Sequence, residues 1–212
     1  MRRNRSKSNN AQTAKPSRDL RTAGQGQVGE VRIIAGKWRG RKIPVAESQG
    51  LRPTTDRTKE TLFNWLIPYL NVETRCLDLF AGSGSLTFEA LSRGAKSVTT
   101  IEKQSGIVKK LKDVSATLGV EDKSLSIIND DFESFLSSCQ STFDLVFLDP
   151  PFAMGFLPKA LDGLVNNQLL APEAIIYVEY ETSLNLIASS EFEEIKTKQT
   201  KQVVSKLLRY RG

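Results

Sequence analysis

The sequence predicts a doubly wound α/β fold: a mostly parallel sheet with helices on both faces, closed at one edge by an antiparallel C-terminal strand pair and preceded by a β-hairpin extension. Three observations lead there. From Arg75 onward, short apolar runs alternate with stretches of helical periodicity, the pattern of a parallel sheet covered on both sides. The first of those runs enters a glycine turn that opens a helix. The last two runs, Phe192–Lys198 and Val203–Tyr210, have no helical stretch between them and read as a hairpin-like pair.

Residues 1–29 are polar and basic, with Leu20 and Val28 almost their only large apolar side chains. Such a segment buries too little apolar surface to offset the entropy of ordering, so disorder is expected. It is also too poor in apolar residues to build an amphipathic targeting helix, and a cytoplasmic location is expected. From Glu30 the pattern changes. Val31 and Ile33, then Ile43 and Val45, flank Gly36-Lys37-Trp38-Arg39-Gly40-Arg41-Lys42, which predicts a hairpin around a basic turn. Its tip would display Lys37, Arg39, Arg41 and Lys42. Trp38 beside them either stacks on a base or packs the hairpin onto the body.

Leu51-Arg52-Pro53-Thr54-Thr55-Asp56 reads as an extended loop ending at a helix N-terminus. Leu62, Phe63, Leu66, Ile67 and Leu70 then supply one helical face, with Pro68 near its end. Cys76–Phe80 is the first strand of the sheet, and the helix after it runs to about Arg93. Ser97–Ile101 is the second strand, and Ile107, Leu111, Val114 and Leu118 form the stripe of the next helix. Leu125–Ile128, a short helix over 132–138, Phe143–Leu148, a helix over 156–167 and Ala174–Val178 complete the alternation. Three parts are therefore expected: a tail over 1–29, a nucleic-acid-binding hairpin and loop over 30–55, and a catalytic domain over 56–212.

Composition narrows the chemistry. There is no histidine, so no imidazole can serve as base or metal ligand. Cys76 and Cys139 lack CxxC partners, so neither a disulfide framework nor a zinc site is expected. No apolar run approaches the roughly 18 residues of a membrane span. Charge is asymmetric: residues 1–60 carry fifteen Lys or Arg against five Asp or Glu, and residues 61–212 carry fifteen against nineteen. A cationic N-terminal region on a mildly acidic body suits contact with a phosphate backbone.

Asp78-Leu79-Phe80-Ala81-Gly82-Ser83-Gly84 joins the first strand to its helix. Glycines there let the backbone approach a ligand, and the helix N-terminus offers free N–H groups. A dinucleotide fingerprint needs a third glycine where this chain has Thr87. Glu102, after the second strand, is placed to accept from ribose hydroxyls. Asp78 suits the cationic amino acid end of S-adenosylmethionine and not a pyrophosphate. Asp131 and Phe132, after the third strand, are candidates for the adenine.

The fourth strand runs into Asp149-Pro150-Pro151-Phe152. Two prolines make the loop stiff and leave carbonyls to accept hydrogen bonds. A base amino group is a poor nucleophile because its lone pair is delocalised. The Asp149 carboxylate and the Pro150 carbonyl can hold its two hydrogens and turn that lone pair toward a methyl donor. Phe152 supplies a face for stacking. In a doubly wound sheet the first and fourth strands are neighbours where the winding reverses, so the two loops face each other.

At this point the chain resembles the RsmD family. The resemblance rests on Arg32–Lys42, Leu51–Arg57, Leu62–Leu66, Leu77–Gly84 with Glu89–Ala95, and Asp149-Pro150-Pro151-Phe152. It covers about residues 30–210. It implies a Rossmann-like class I S-adenosylmethionine-dependent methyltransferase fold and transfer of a methyl group to a guanine N2 of small-subunit ribosomal RNA. It further implies a cofactor pocket from Asp78, Phe80, Ala81, Gly82, Ser83, Gly84, Glu102, Lys103, Asp131 and Phe132. Asp149, Pro150, Pro151 and Phe152 would be catalytic. Lys37, Trp38, Arg39, Arg41, Lys42, Arg52, Thr54 and Arg57 would hold RNA. The expected cofactor is S-adenosyl-L-methionine and the expected partner is ribosomal RNA or an assembling small subunit, met by a monomer without metal or membrane. The family often has Asn where Asp131 stands. The loop motif alone leaves adenine-N6 methylation open, and a non-catalytic RNA-binding or assembly factor with the same fold is the alternative from another class.

Overall fold

The computed structural model describes residue 1 and residues 29–45, 56–184, 186 and 189–212. The expectations for the N-terminal tail, Arg52 and Thr54 lie outside the described residues. Two strands, β1 (Gly29–Arg32) and β2 (Lys42–Val45), pair antiparallel ahead of helix α1 (Asp56–Leu66). The alternation then runs β3 (Arg75–Asp78), α2 (Ser85–Ser92), β4 (Ser97–Ile101), α3 (Ser105–Leu118), β5 (Leu125–Ile128), α4 (Phe132–Ser138), β6 (Phe143–Leu148), α5 (Phe156–Asn166) and β7 (Leu170–Glu181). Strands β8 (Phe192–Gln199) and β9 (Val203–Tyr210) end it. The seven-stranded sheet has the order β5-β4-β3-β6-β7-β9-β8, parallel as far as β7 and antiparallel for β9 and β8.

Strand β6 shows why the apolar runs are continuous rather than alternating. Leu145 and Phe147 face one core layer, built with α1, α2 and α3, while Val146 and Leu148 face another, built with α4 and α5. All four are fully buried, so none of these positions accommodates a polar side chain. The α3 stripe of Ile107, Leu111, Val114 and Leu118 is buried as its spacing requires. The helix stops at Gly119, which takes φ 63° and lets the Gly119 and Val120 amides return to the carbonyls of Ala116 and Ser115.

Several element boundaries differ from the sequence reading. Strand β3, expected over Cys76–Phe80, runs Arg75–Asp78 and gives way to the turn at Leu79. Strand β7 extends on both sides of the expected Ala174–Val178, because Pro172 and Glu173 (φ 61°) interrupt its sequence pattern while the backbone continues through an irregularity opposite Phe143 and Leu145. Helix α1 ends at Leu66, two residues before Pro68; Ile67, expected on its apolar face, is exposed.

The hairpin is a docked part, not a free arm. Its turn lies on the C-terminal end of α2. The Glu89 side chain, fully buried, accepts from the amides of Ile34 (2.7 Å) and Ala35 (3.1 Å) and from Arg93 Nε (2.7 Å). Ser92 Oγ accepts from the Trp38 amide and donates to the Ala35 carbonyl, and the Ser92 carbonyl takes the Lys37 amide. Gly36 (φ 82°) is required here: a Cβ would sit 1.8 Å from the Ser92 carbonyl oxygen. From α1, the fully buried Lys59 ammonium donates to the Arg32 carbonyl. Burial lowers its pKa, and the carboxylates of Glu89 and Asp56 oppose that shift.

Candidate active site

Strands β3 and β6 are parallel neighbours, with Asp78 opposite Phe147 and the Leu79 amide donating to the Phe147 carbonyl. The loops that follow them therefore leave the same end of the sheet side by side, at the point where strand order reverses. The sequence reading expected this juxtaposition of the glycine loop and Asp149-Pro150-Pro151-Phe152.

The glycine loop is held from beneath and from the side. Asp78 is 2% exposed, and its carboxylate accepts from Thr87 Oγ1 at 2.7 Å; Thr87 in turn lies 3.0 Å from Thr100 Oγ1. Thr87, the residue at the missing third glycine, thus grips the acid under the loop. Asp78 was expected to line the cofactor pocket; the structure places it behind the loop, where burial pushes its pKa up to about 6 against the pull of Thr87 and backbone amides. Gly82 (φ 49°) and Gly84 (φ 74°) both need the left-handed region. At Gly84 packing as well as backbone conformation calls for glycine: a Cβ would lie 2.6 Å from the Leu111 side chain and 2.7 Å from Phe88.

The sign of the Asp78 shift sets a stability profile. A raised carboxyl pKa means that the folded chain holds the proton more tightly than the unfolded one, so this contribution is full below about pH 4 and is lost as pH rises through about 6. Asp78→Asn is expected to remove that slope. Urea titrations at pH 5 and pH 7.5 check it: the wild-type-minus-variant difference should move in the wild type's favour at the lower pH, and an unchanged difference contradicts the assignment.

Glu102 spans its neighbours, accepting from the Gly82 amide (3.1 Å) and the Gln104 amide (2.8 Å). Asn129 Nδ2 ties the next loop in by donating to the carbonyls of Glu102 and Lys103. Asp131 caps α4, taking the Ser134 amide at 3.0 Å, and that amide holds its carboxyl below the usual range. Phe80 and Phe132 pack at 5.2 Å between ring centroids, and Phe156 stacks parallel to Phe80 at 6.2 Å. The sequence reading included the first two rings and missed Phe156, which belongs to the helix after the catalytic loop. Ser85 Oγ, behind the glycine loop at the start of α2, is buried with no hydrogen-bond partner among the described residues.

The catalytic-loop candidates are exposed in steps: Pro150 is buried, Asp149 and Phe152 are half-buried, and Pro151 is exposed. Ala153 follows at φ 61°, and its amide donates to Glu181 Oε1 at 3.0 Å. That latch to the end of β7 was not legible in the sequence. Since Leu148 pairs with Val178, the chain after β6 runs alongside Glu179. Tyr177 Oη donates to Glu179 Oε2 at 2.5 Å, and burial, then the charges of Glu179 and Asp149, push the Tyr177 hydroxyl well up. Both residues line a cavity of about 670 Å³ that also involves Arg57, Trp65, Lys198 and Lys201.

Of the RNA-binding candidates, Lys37, Arg39 and Arg41 are exposed, and Arg57 lies on the cavity. Lys42 is exposed but paired with Glu30 at 2.6 Å. Trp38 is a correction to the base-stacking reading. It is 7% exposed and belongs to the core layer with Leu62 and Phe63, because a docked turn needs an apolar anchor; the Lys37 ammonium lies 5.3 Å from its ring centroid. Among the described residues no group of His, Cys, Asp or Glu is arranged to hold a metal, and no helix is long and apolar enough to cross a membrane.

Comparison with known proteins decides the family. A family described as "Conserved hypothetical protein 95" matches residues 31–209. "Ribosomal RNA small subunit methyltransferase D" of Haemophilus influenzae is 51% identical over 174 residues, which is 81% of this chain and 90% of the relative. The chain belongs to this methyltransferase family. The Escherichia coli K12 member is 48% identical over 74% of this chain and 78% of its own length. Among solved structures, a candidate methyltransferase of that species, yhhF, superposes with a TM-score of 0.78 at 42% identity, covering 86% of this chain and 98% of that one. The expected class I methyltransferase fold is thereby borne out.

Proposed function

We propose that this chain transfers a methyl group from S-adenosylmethionine to the exocyclic N2 of a guanine in small-subunit ribosomal RNA. The observation that carries the reading is the side-by-side exit of the glycine loop and Asp149-Pro150-Pro151-Phe152 from β3 and β6. S-adenosylmethionine supplies an electrophilic methyl group on sulfur. The residues there suit that molecule: Glu102, tied to the glycine loop through the Gly82 amide, offers a carboxylate to the ribose hydroxyls, Phe80, Phe132 and Phe156 pack into an apolar wall, and the Ser85 hydroxyl lies buried without a partner among the described residues.

Asp149 and the Pro150 carbonyl accept the two N2 hydrogens and aim the nitrogen lone pair at the methyl carbon. The N–C bond forms as the S–C bond breaks, leaving the thioether product and a cationic nitrogen. The fixed Asp149 carboxylate stabilises that charge and takes the surplus proton, directly or through water. Phe152 stacks on the base, an interaction worth roughly 1–3 kcal/mol. The Glu181 latch on Ala153 keeps the loop in one geometry. One chain carries both loops, so a monomer acts, in the cytoplasm where small subunits are assembled.

The test is methylation of small-subunit rRNA, free and in reconstituted subunits, followed by nucleoside mass spectrometry. N2-methylguanosine is expected. N6-methyladenosine in its place supports the rival chemistry, and absence of S-adenosylmethionine binding at high micromolar concentration supports a non-catalytic factor. Replacing Lys37, Arg39 and Arg41 by Gln is expected to weaken RNA binding and to flatten the fall of log affinity with log salt, by about one in slope for each phosphate that is no longer neutralised. An unchanged slope in filter binding would confine the turn to a structural part.

A further inference from the structure

Strand β7 turns Tyr177, Glu179 and Glu181 to one side, as alternate residues of a strand must. Glu181 holds the catalytic loop, whereas Tyr177 and Glu179 line the 670 Å³ cavity; the register of Leu148 with Val178 brings Asp149 next to Glu179, and the charge of Asp149 reaches the Tyr177 hydroxyl. Glu179 is 9% exposed and Tyr177 1% exposed, so the carboxylate is largely withdrawn from solvent and is oriented by the Tyr177 hydroxyl, which donates to Oε2. The rim is basic: Arg57 from α1, Lys198 from the end of β8 and Lys201 from the β8–β9 turn, with Trp65 presenting an aromatic side chain. Lys198 Nζ is positioned by Thr61 Oγ1 at 3.0 Å.

We propose that this cavity receives the target nucleotide and that Glu179 is the residue that selects guanine. The inference rests on the guanine-N2 reading above. At ring position 1 guanine carries a hydrogen-bond donor and adenine a lone pair. A carboxylate accepts from the first and repels the second. With Asp149 and Pro150 engaged by the amino hydrogens, Glu179 takes N1–H, and Tyr177 fixes the carboxylate by donating to its other oxygen. An extruded base is read in this way on its Watson–Crick edge. Arg57, Lys198 and Lys201 take the phosphates on either side of it, which explains a cationic rim around an anionic floor. Pockets built around one buried polar group discriminate strongly against ligands lacking its partner, which makes position 1 the decisive point of recognition.

The experiment compares guanine with 2-aminopurine, which keeps the 2-amino group but has a lone pair at position 1. The methylated position is first mapped by nuclease digestion and mass spectrometry of transcripts treated with the wild-type chain. Small subunits are then reconstituted with either base at that position, and kcat/KM is measured for wild type, Glu179→Gln and Tyr177→Phe. Wild type is expected to prefer guanine at least 100-fold. In Glu179→Gln the preference should fall below about 10-fold, because an amide can turn oxygen or nitrogen toward position 1 and serve both bases. Tyr177→Phe, which leaves the carboxylate but frees it to rotate, should reduce the preference about 10-fold. A merely structural role would lower both rates in proportion and leave the ratio unchanged, and that result overturns the proposal while the functional reading stands. Absence of N2-methylguanosine with the wild-type chain overturns both.

Discussion

Asp149→Ala is expected to lower kcat on small-subunit RNA by about 10³-fold, with binding of S-adenosylmethionine retained. The magnitude follows from the role given to the carboxylate: removing one fixed group that faces developing transition-state charge costs about 10²–10³ in rate, and here the same group also orients the amino nitrogen. The cofactor loop is held instead by Thr87 on Asp78 and by Glu102 on the Gly82 amide, so calorimetric affinity for the cofactor should hold. Single-turnover methylation and calorimetry on the same preparation separate the two effects. Near-normal turnover would refute the role, whereas parallel loss of cofactor affinity would show that the loop had collapsed. Asp149→Asn is the informative companion: it keeps an acceptor but removes the charge, and should recover part of the orientation without the electrostatic contribution.

Glu89→Ala is expected to cost about 3–5 kcal/mol, the usual penalty for removing one partner of a buried ion pair. The case is stronger than a surface ion pair because the Glu89 side chain has no exposed area and holds two backbone amides as well as Arg93. Its loss also removes the larger of the two carboxylate charges that oppose the desolvation of the buried Lys59, leaving only that of Asp56. For a chain of this size each kcal/mol corresponds to roughly 2–4 °C, so a drop on the order of 10 °C in Tm is expected. Hydrogen exchange should locate the damage at Ile33–Trp38, with the amides of β6 still protected. Glu89→Gln, which keeps one acceptor, should be milder. A Tm within about 2 °C of wild type in Glu89→Ala would mean that the turn docks by its apolar side chains alone.

The order of strands and helices was legible because each of these elements carries its own period, and because both faces of β6 are buried and therefore apolar in sequence. The adjacency of β3 and β6 followed from handedness and winding. What escaped the sequence reading shares one cause: partners far apart in the chain. Glu89 meets Ile34 across 55 positions and Glu181 meets Ala153 across 28, and no local pattern announces either. Trp38 beside four cations looked equally suited to a base or a core, and only the position of α2 and α1 decides it. Gly84 and Asp78, expected in the cofactor pocket, have atoms that pack inward on Phe88, Leu111 and Thr87, which spacing cannot distinguish from outward contact.

The alternate residues of β7 have a consequence for how such an enzyme can change. Tyr177, Glu179 and Glu181 stand on an interior strand whose other side, Ile176 and Val178, is locked into the layer built with α4 and α5, while Tyr177 is buried in the layer built with α1, α2 and α3. On the reading proposed above, acceptor choice and the clamp on the catalytic loop are written into one rigid ruler, two positions apart, while the methyl-donor pocket is written into the loops after β3, β4 and β5. A library confined to position 179 would search new acceptor bases while leaving the loop clamp and the donor side unchanged, so the two specificities can drift independently.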